Sequence, residues 1–112
     1  MVSPAFFVGK ADGGRRFFVD YSKFNKLLQP CALPLPLMDH LLDEVAACKV
    51  MSKMYLTSGF WQVRLIPESK KLTSFILPNQ MVYRFKVLPM GLAVSPGVFQ
   101  HYTSRHVARF KL

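Results

Sequence analysis

The sequence predicts an α+β fold, a mixed and mainly antiparallel sheet with flanking helices. Three observations carry this. Phe- and Val-rich runs flank a Gly-Gly turn at residues 12–14, an amphipathic stripe begins at Leu37, and a second alternating hairpin precedes a Ser-Pro helix start at Ser95. A chain of 112 residues is about one domain long. Its residues are 51% hydrophobic and include ten Phe, a composition that builds a core rather than a disordered segment. No repeat, low-complexity tract or linker divides it, so residues 1–112 are read as one unit.

Residues 5–8 are apolar, Asp12-Gly13-Gly14 favours a tight turn, and residues 16–21 return as a second apolar run. Together they predict a β-hairpin. Residues 22–28 suit one or two helical turns, after which Pro30, Pro34 and Pro36 force an extended crossing. Met38, Leu41, Leu42 and Val45 then fall at i, i+3, i+4 and i+7, the apolar face of a helix ending near Cys48. Asp39 and Asp43 stand one turn apart on it and resemble a paired-carboxylate site, but a solvated face with acids near the N-terminal dipole accounts for them. Residues 50–56 and 63–66 read as strands around a break at residues 59–62. Residues 73–77 and 81–87 read as a hairpin around Pro78-Asn79-Gln80, with Tyr83, Phe85 and Val87 alternating against Arg84 and Lys86. Ser95-Pro96 opens the last helix, serine as N-cap and proline where no hydrogen bond is lost. Phe99, Tyr102, His106 and Phe110 step along one side of it, which makes His106 a packed core-edge residue rather than a ligand.

Fifteen Lys and Arg against six Asp and Glu give a net charge of +9. Such an excess suits a polyanionic partner, because neutralised phosphates release counterions. It equally suits a small basic protein that adheres to anything acidic. Cys31 and Cys48, with His40, His101 and His106, match no zinc spacing, so both cysteines read as ordinary thiols of a reducing compartment. No apolar run approaches the ~20 residues of a membrane span, and Lys10 and Asp12 interrupt any secretory leader. The expected location is intracellular, cytoplasmic or nuclear, without membrane contact.

The residues that name a function lie in collinear motifs. Residues 51–62, Met-Ser-Lys-Met-Tyr-Leu-Thr-Ser-Gly-Phe-Trp-Gln, resemble the Phe-Ser-Lys-Leu-Asp-Leu-x-Ser-Gly-Tyr-x-Gln motif of gypsy-type LTR-retrotransposon reverse transcriptases. Residues 12–25 are similar to that family's Asp-Gly-Ser-x-Arg-Phe-x-Val-Asp-Tyr-Arg-Lys-Leu-Asn. Leu33-Pro34-Leu35-Pro36 with Leu41-Leu42-Asp43, then Leu88-Pro89-Met90-Gly91-Leu92 and Ser95-Pro96-Gly97-Val98-Phe99-Gln100, follow the family's order and spacing. The resemblance covers nearly the whole chain and implies a partial right-hand polymerase, the fingers and first half of the palm.

It also implies roles. Lys10 and Arg16 match the hairpin cations that grip a nucleotide triphosphate, as phosphoryl transfer requires against the β- and γ-phosphates. Phe60 matches the aromatic residue under the sugar, and Met90 and Gly91 match residues of the nucleotide pocket. Without the resemblance, Lys10 and Arg16 read as solvated cations and Phe60 as core. Tyr55 occupies the slot of the first magnesium-binding Asp, where a neutral phenol offers a hard cation no charged oxygen. The family's other two carboxylates sit in a Tyr-x-Asp-Asp turn, and no Asp-Asp pair occurs in this sequence. No metal or other cofactor is therefore expected for this chain, although the intact family uses magnesium.

The sequence is thus expected to be a reverse-transcriptase-like piece of a retroelement pol protein, cut at both ends and without polymerase activity by itself. Two alternatives stay open. One is a domesticated basic module holding RNA or an RNA–DNA hybrid weakly and electrostatically. The other is part of an active polymerase completed by another exon or chain.

Overall fold

The computed structural model describes residues 1–29 and 36–107. The proline-forced crossing falls mostly at 30–35, so it lies outside the described residues, as do Cys31 and Phe110.

The predicted first hairpin is present. Strands β1 (Ser3–Gly9) and β2 (Arg15–Val19) pair antiparallel from Ala5↔Val19 to Gly9↔Arg15. Asp12 closes its turn by accepting a hydrogen bond from the Gly14 N–H at 3.0 Å, the local bond that makes Asp a turn former. The second hairpin is shorter than its apolar pattern, with β3 (Phe75–Ile76) antiparallel to β4 (Val82–Tyr83). Parallel pairing of β1 with β3 joins the hairpins into one sheet of order β2-β1-β3-β4. Side chains alternate across a strand, and the aromatic contacts separate accordingly. Phe7, Phe17, Phe75, Tyr83 and Phe85 form a chain of ring contacts with centroids 5.2–5.9 Å apart, while Phe6 stacks on Phe18 apart from it.

The helices are α1 (Ser22–Asn25), α2 (Met38–Ala47), α3 (Pro67–Leu72) and α4 (Ser95–Val107), with a 3₁₀ turn at Gly59–Gln62. Helix α2 follows the predicted stripe. Helix α3 was not anticipated, although Pro67 opens it, Glu68 sits in its first turn and Lys70 and Lys71 in its last, an arrangement that suits the helix dipole.

Three expectations are corrected. Residues 50–56 form no strand. Their apolar side chains stand in solvent, Tyr55 88% exposed, and among the described residues no strand lies beside them to complete a ladder. Residues 63–66 reduce to one bridge, Arg64↔Val87, held by the Leu65 N–H donating to Lys86 O and the Leu88 N–H to Val63 O. His106 is exposed rather than packed at a core edge, its Nδ1 2.8 Å from Tyr102 O one turn back. Ser95 does start α4, but its buried hydroxyl donates backwards to Pro89 O at 2.7 Å and so fixes the preceding loop.

The core is small and centred on Tyr21, which is 1% exposed. Its hydroxyl donates to Thr73 O at 2.9 Å, and Thr73 Oγ1 accepts from the Phe85 N–H at 3.0 Å. Burial pushes the Tyr21 phenol well above its ordinary pKa, so it stays a neutral donor. A second junction joins the 3₁₀ turn to α4, where the Phe60 and Phe99 rings meet edge-on at 5.1 Å. Gly59 is needed there because an added Cβ would lie 2.8 Å from Phe99 Cζ. Gly59→Ala should therefore displace Phe99 and alter the near-ultraviolet circular dichroism of Trp61, the single tryptophan. Gly9→Ala, whose added carbon meets nothing within 4 Å, should leave that spectrum unchanged.

The accessible surface is 9607 Å², against about 6,300 Å² for a compact 12.8 kDa protein. Much of the excess is apolar: on α2 alone Met38, Leu41, Leu42 and Val45 are all exposed. Patches of this kind drive association. The isolated 112-residue chain is expected to self-associate at micromolar concentration and to melt without a sharp transition. Light scattering and calorimetry check this, and a monomer with one sharp transition would contradict it.

Candidate functional site

Two cavities adjoin at Trp61 and Met90, one reaching the first hairpin and the other reaching α4. The first, about 370 Å³, is lined by Lys10, Arg15, Arg16 and residues 17–19 of the hairpin, with Trp61, Phe85, Met90 and Gly91 opposite. Three cations and no carboxylate border it. Lys10 and Arg16 also border a recess of about 450 Å³ on the hairpin, together with the Asp12 carboxylate. The second main cavity, about 480 Å³, is apolar. Met54, Tyr55, Leu56, Phe60, Trp61, Met90 and Phe99 enclose it with Ser58 and Gly59. Trp61 and Met90 line both, so the basic and the apolar space share a wall.

The position of that wall follows from local structure. Met90 and Gly91 lie in a loop held at three points. Ser95 ties back to Pro89 O as above, Asn25 Nδ2 donates to Gly91 O at 2.9 Å, and the Ala93 N–H donates to Asn25 Oδ1 at 2.9 Å. Gly91 has φ +92° and sits over Tyr21 and the Val19 carbonyl. A side chain there would meet a strained backbone. On the other wall, Phe60 is fixed against Phe99, and Ser58, with φ 50°, turns the chain into the 3₁₀ segment. At the base of the hairpin, Asp20 accepts from Ser22, which holds its carboxyl below the usual carboxylate pKa.

Of the residues singled out in the sequence, Lys10, Arg16, Met90 and Gly91 line the basic cavity, and Phe60 lines the apolar one with Tyr55 and Met90. Sequence reasoning passed over Arg15 and Trp61. Arg15 sits in a run of two arginines beside the turn, which was the available signal for it, whereas Trp61 follows Phe60 with no basic run beside it. Among the described residues, no three His, Cys, Asp or Glu side chains gather where a metal ion could be held. None of the described helices is long and apolar enough to cross a membrane.

The family described as reverse transcriptase (RNA-dependent DNA polymerase) matches residues 8–112. The chain is 36% identical over 109 residues to the enzymatic polyprotein of Cestrum yellow leaf curling virus, covering 94% of this chain and 17% of that protein. It is 41% identical over 85 residues to the retrovirus-related Pol polyprotein from transposon 412 of Drosophila melanogaster, covering 76% and 7%. To the transposon Tf2-7 polyprotein of Schizosaccharomyces pombe it is 30% identical over 108 residues, covering 96% and 8%. Its fold superposes on the crystal structure of prototype foamy virus protease-reverse transcriptase with a TM-score of 0.77 at 27% identity, covering 98% of this chain and 15% of that one. The chain thus spans less than a fifth of the length of these relatives. With a match over nearly every residue and identities of 30–41% to these polyproteins, it belongs to the reverse transcriptase family.

Proposed function

We propose that this chain is a segment of a gypsy-type retroelement pol protein that holds nucleic acid through its basic cavity and does not polymerise by itself. The gypsy-type assignment rests on the motif at residues 51–62. The observation that carries the functional reading is the pairing of Tyr55 with the cation-lined cavity across Trp61 and Met90. Lys10 and Arg16 can meet phosphate oxygens, Arg16 bidentately. Phe60, Met90 and Gly91 shape the adjoining wall. The partner in this reading is RNA or an RNA–DNA hybrid, bound weakly and mainly by charge.

The residues do not fit a pair of magnesium ions. Such ions take charged oxygen ligands in near-octahedral array; Tyr55 supplies a phenol in a wall of Met54, Leu56 and Phe60. Two-metal transfer needs ligands on both ions, so no transfer step is assigned to this chain. A second reading is favoured by the length of the relatives: this segment works inside a longer polymerase whose other parts carry the chemistry. An in-frame Tyr-x-Asp-Asp sequence downstream would support it.

Binding to an RNA–DNA hybrid should weaken steeply with salt, and removing Lys10 and Arg16 together should flatten the log–log slope by roughly 1 to 2. Fluorescence anisotropy from 50 mM to 500 mM salt measures it. Binding unaffected by salt would overturn the electrostatic reading.

Tyr55→Asp should not create a polymerase. One carboxylate cannot hold two ions, and the charge developing on the transferred phosphate would stay largely unneutralised. Because Tyr55 is exposed, the substitution should leave the fold intact. Primer extension on an RNA template with magnesium and all four nucleotides is the assay, and template-dependent product above a no-protein control would contradict the proposal.

A further inference from the structure

Helix α2 concentrates the negative charge of a basic chain. Asp39, Asp43 and Glu44 are three of its six acidic residues, and the helix holds no Lys or Arg. None of its residues is buried, and its stripe of Met38, Leu41, Leu42 and Val45 stands exposed. At helical spacing Asp39 flanks that stripe on one side and Glu44 on the other. The first hairpin offers the opposite chemistry. Pairing of Phe6 with Phe18 and of Val8 with Arg16 puts these four side chains on one face. The two rings stack with centroids 6.1 Å apart, yet Phe6, Val8 and Phe18 are 48%, 42% and 37% exposed. Lys10 joins Arg16 around the recess beside Val8 and Phe18. The Asp12 carboxylate there is already engaged by the Gly14 N–H.

We propose that α2 of one copy of this chain docks on the hairpin face of a second copy. Its apolar stripe lies over Phe6, Val8 and Phe18, and its carboxylates turn toward Lys10 and Arg16. Both surfaces are exposed in the same chain, so neither covers the other. Two chains of net charge +9 repel each other. Close approach is therefore restricted to orientations that set acids against cations, and like charges in contact select against the rest. The 9607 Å² of accessible surface exceeds that of a compact chain by roughly 3,300 Å². That is several times the ~800 Å² each partner contributes to a stable interface. The contact is heterologous, since two different surfaces meet. Exchanged reciprocally it closes a dimer, and unreciprocated it extends head to tail.

Charge reversal separates this docking from indiscriminate apolar association. Asp43→Lys with Glu44→Lys reverses the helix, and both positions are exposed. Lysines in the second half of α2 suit its dipole, so the helix stands. Lys10→Glu with Arg16→Glu reverses the hairpin, again at exposed positions. Sedimentation equilibrium at low salt measures association of the unaltered 112-residue protein, of each variant and of their equimolar mixture. The unaltered chain is expected to associate at micromolar concentration, and each variant alone at least about tenfold more weakly. The loss in the hairpin variant is diagnostic. Its reversal lowers the net positive charge, which favours any association that does not depend on docking. The mixture should recover the association, because every helix in it finds a hairpin of opposite sign on the other variant. A misfolded variant could not do so. A variant that associates as strongly as the unaltered chain, a mixture no tighter than its components, or an unaltered chain that stays monomeric would overturn the proposal.

Discussion

The buried hydroxyl of Tyr21 and the carbonyl of Thr73 tie together parts of the chain 52 residues apart. Tyr21 ends the first hairpin, and Thr73 closes α3 just before β3. Their bond therefore fastens the hairpin to the second half of the sheet beside the parallel pairing of β1 with β3. The same ring is the floor on which Gly91 rests, while Thr73 Oγ1 receives the Phe85 N–H. A buried polar pair satisfied at both ends positions its neighbours rigidly, because leaving either group unpaired is costly. Both walls of the basic cavity, hairpin cations and Met90–Gly91 loop, hang from this point.

The elements legible in the sequence were those specified locally. The first hairpin needed only its Asp-Gly-Gly turn and flanking apolar residues, and α2 only its own periodicity. Residues 50–56 were misread because strand propensity records how well a side chain fits a paired, half-buried surface. Val50, Met51, Met54 and Leu56 have the composition of a strand without a neighbour. Helix α3 was passed over for the opposite reason: six residues are too few for periodicity, and its Pro67 start and charged ends lay between two stretches read as strands. His106 fell on an apolar stripe, but a stripe marks a core only where another element covers it.

The candidate site shows the same division. Lys10, Arg16, Phe60, Met90 and Gly91 were found by resemblance to a motif, and the fold brings four of them to one cavity and Phe60 to the cavity next to it. No motif spacing says that Trp61 is shared by both, or that Arg15 joins Arg16 at the same rim. Those are facts of how a turn, a 3₁₀ segment and a glycine loop converge. Proximity across 30 to 80 residues of chain is set by the Tyr21 and Asn25 hydrogen bonds, which are long-range and leave no local trace.

What separates holding a phosphate from transferring one is where charge is neutralised. Lys10, Arg15 and Arg16 stand on an exposed hairpin, where water screens them and each contact contributes modestly. Cations so placed attract a polyanion in its ground state. Transfer demands more: charge must be met where it develops, by groups preorganised in a site from which water is excluded. The described residues gather such cations at the rim, and around Tyr55 they gather apolar and aromatic side chains instead of ligands.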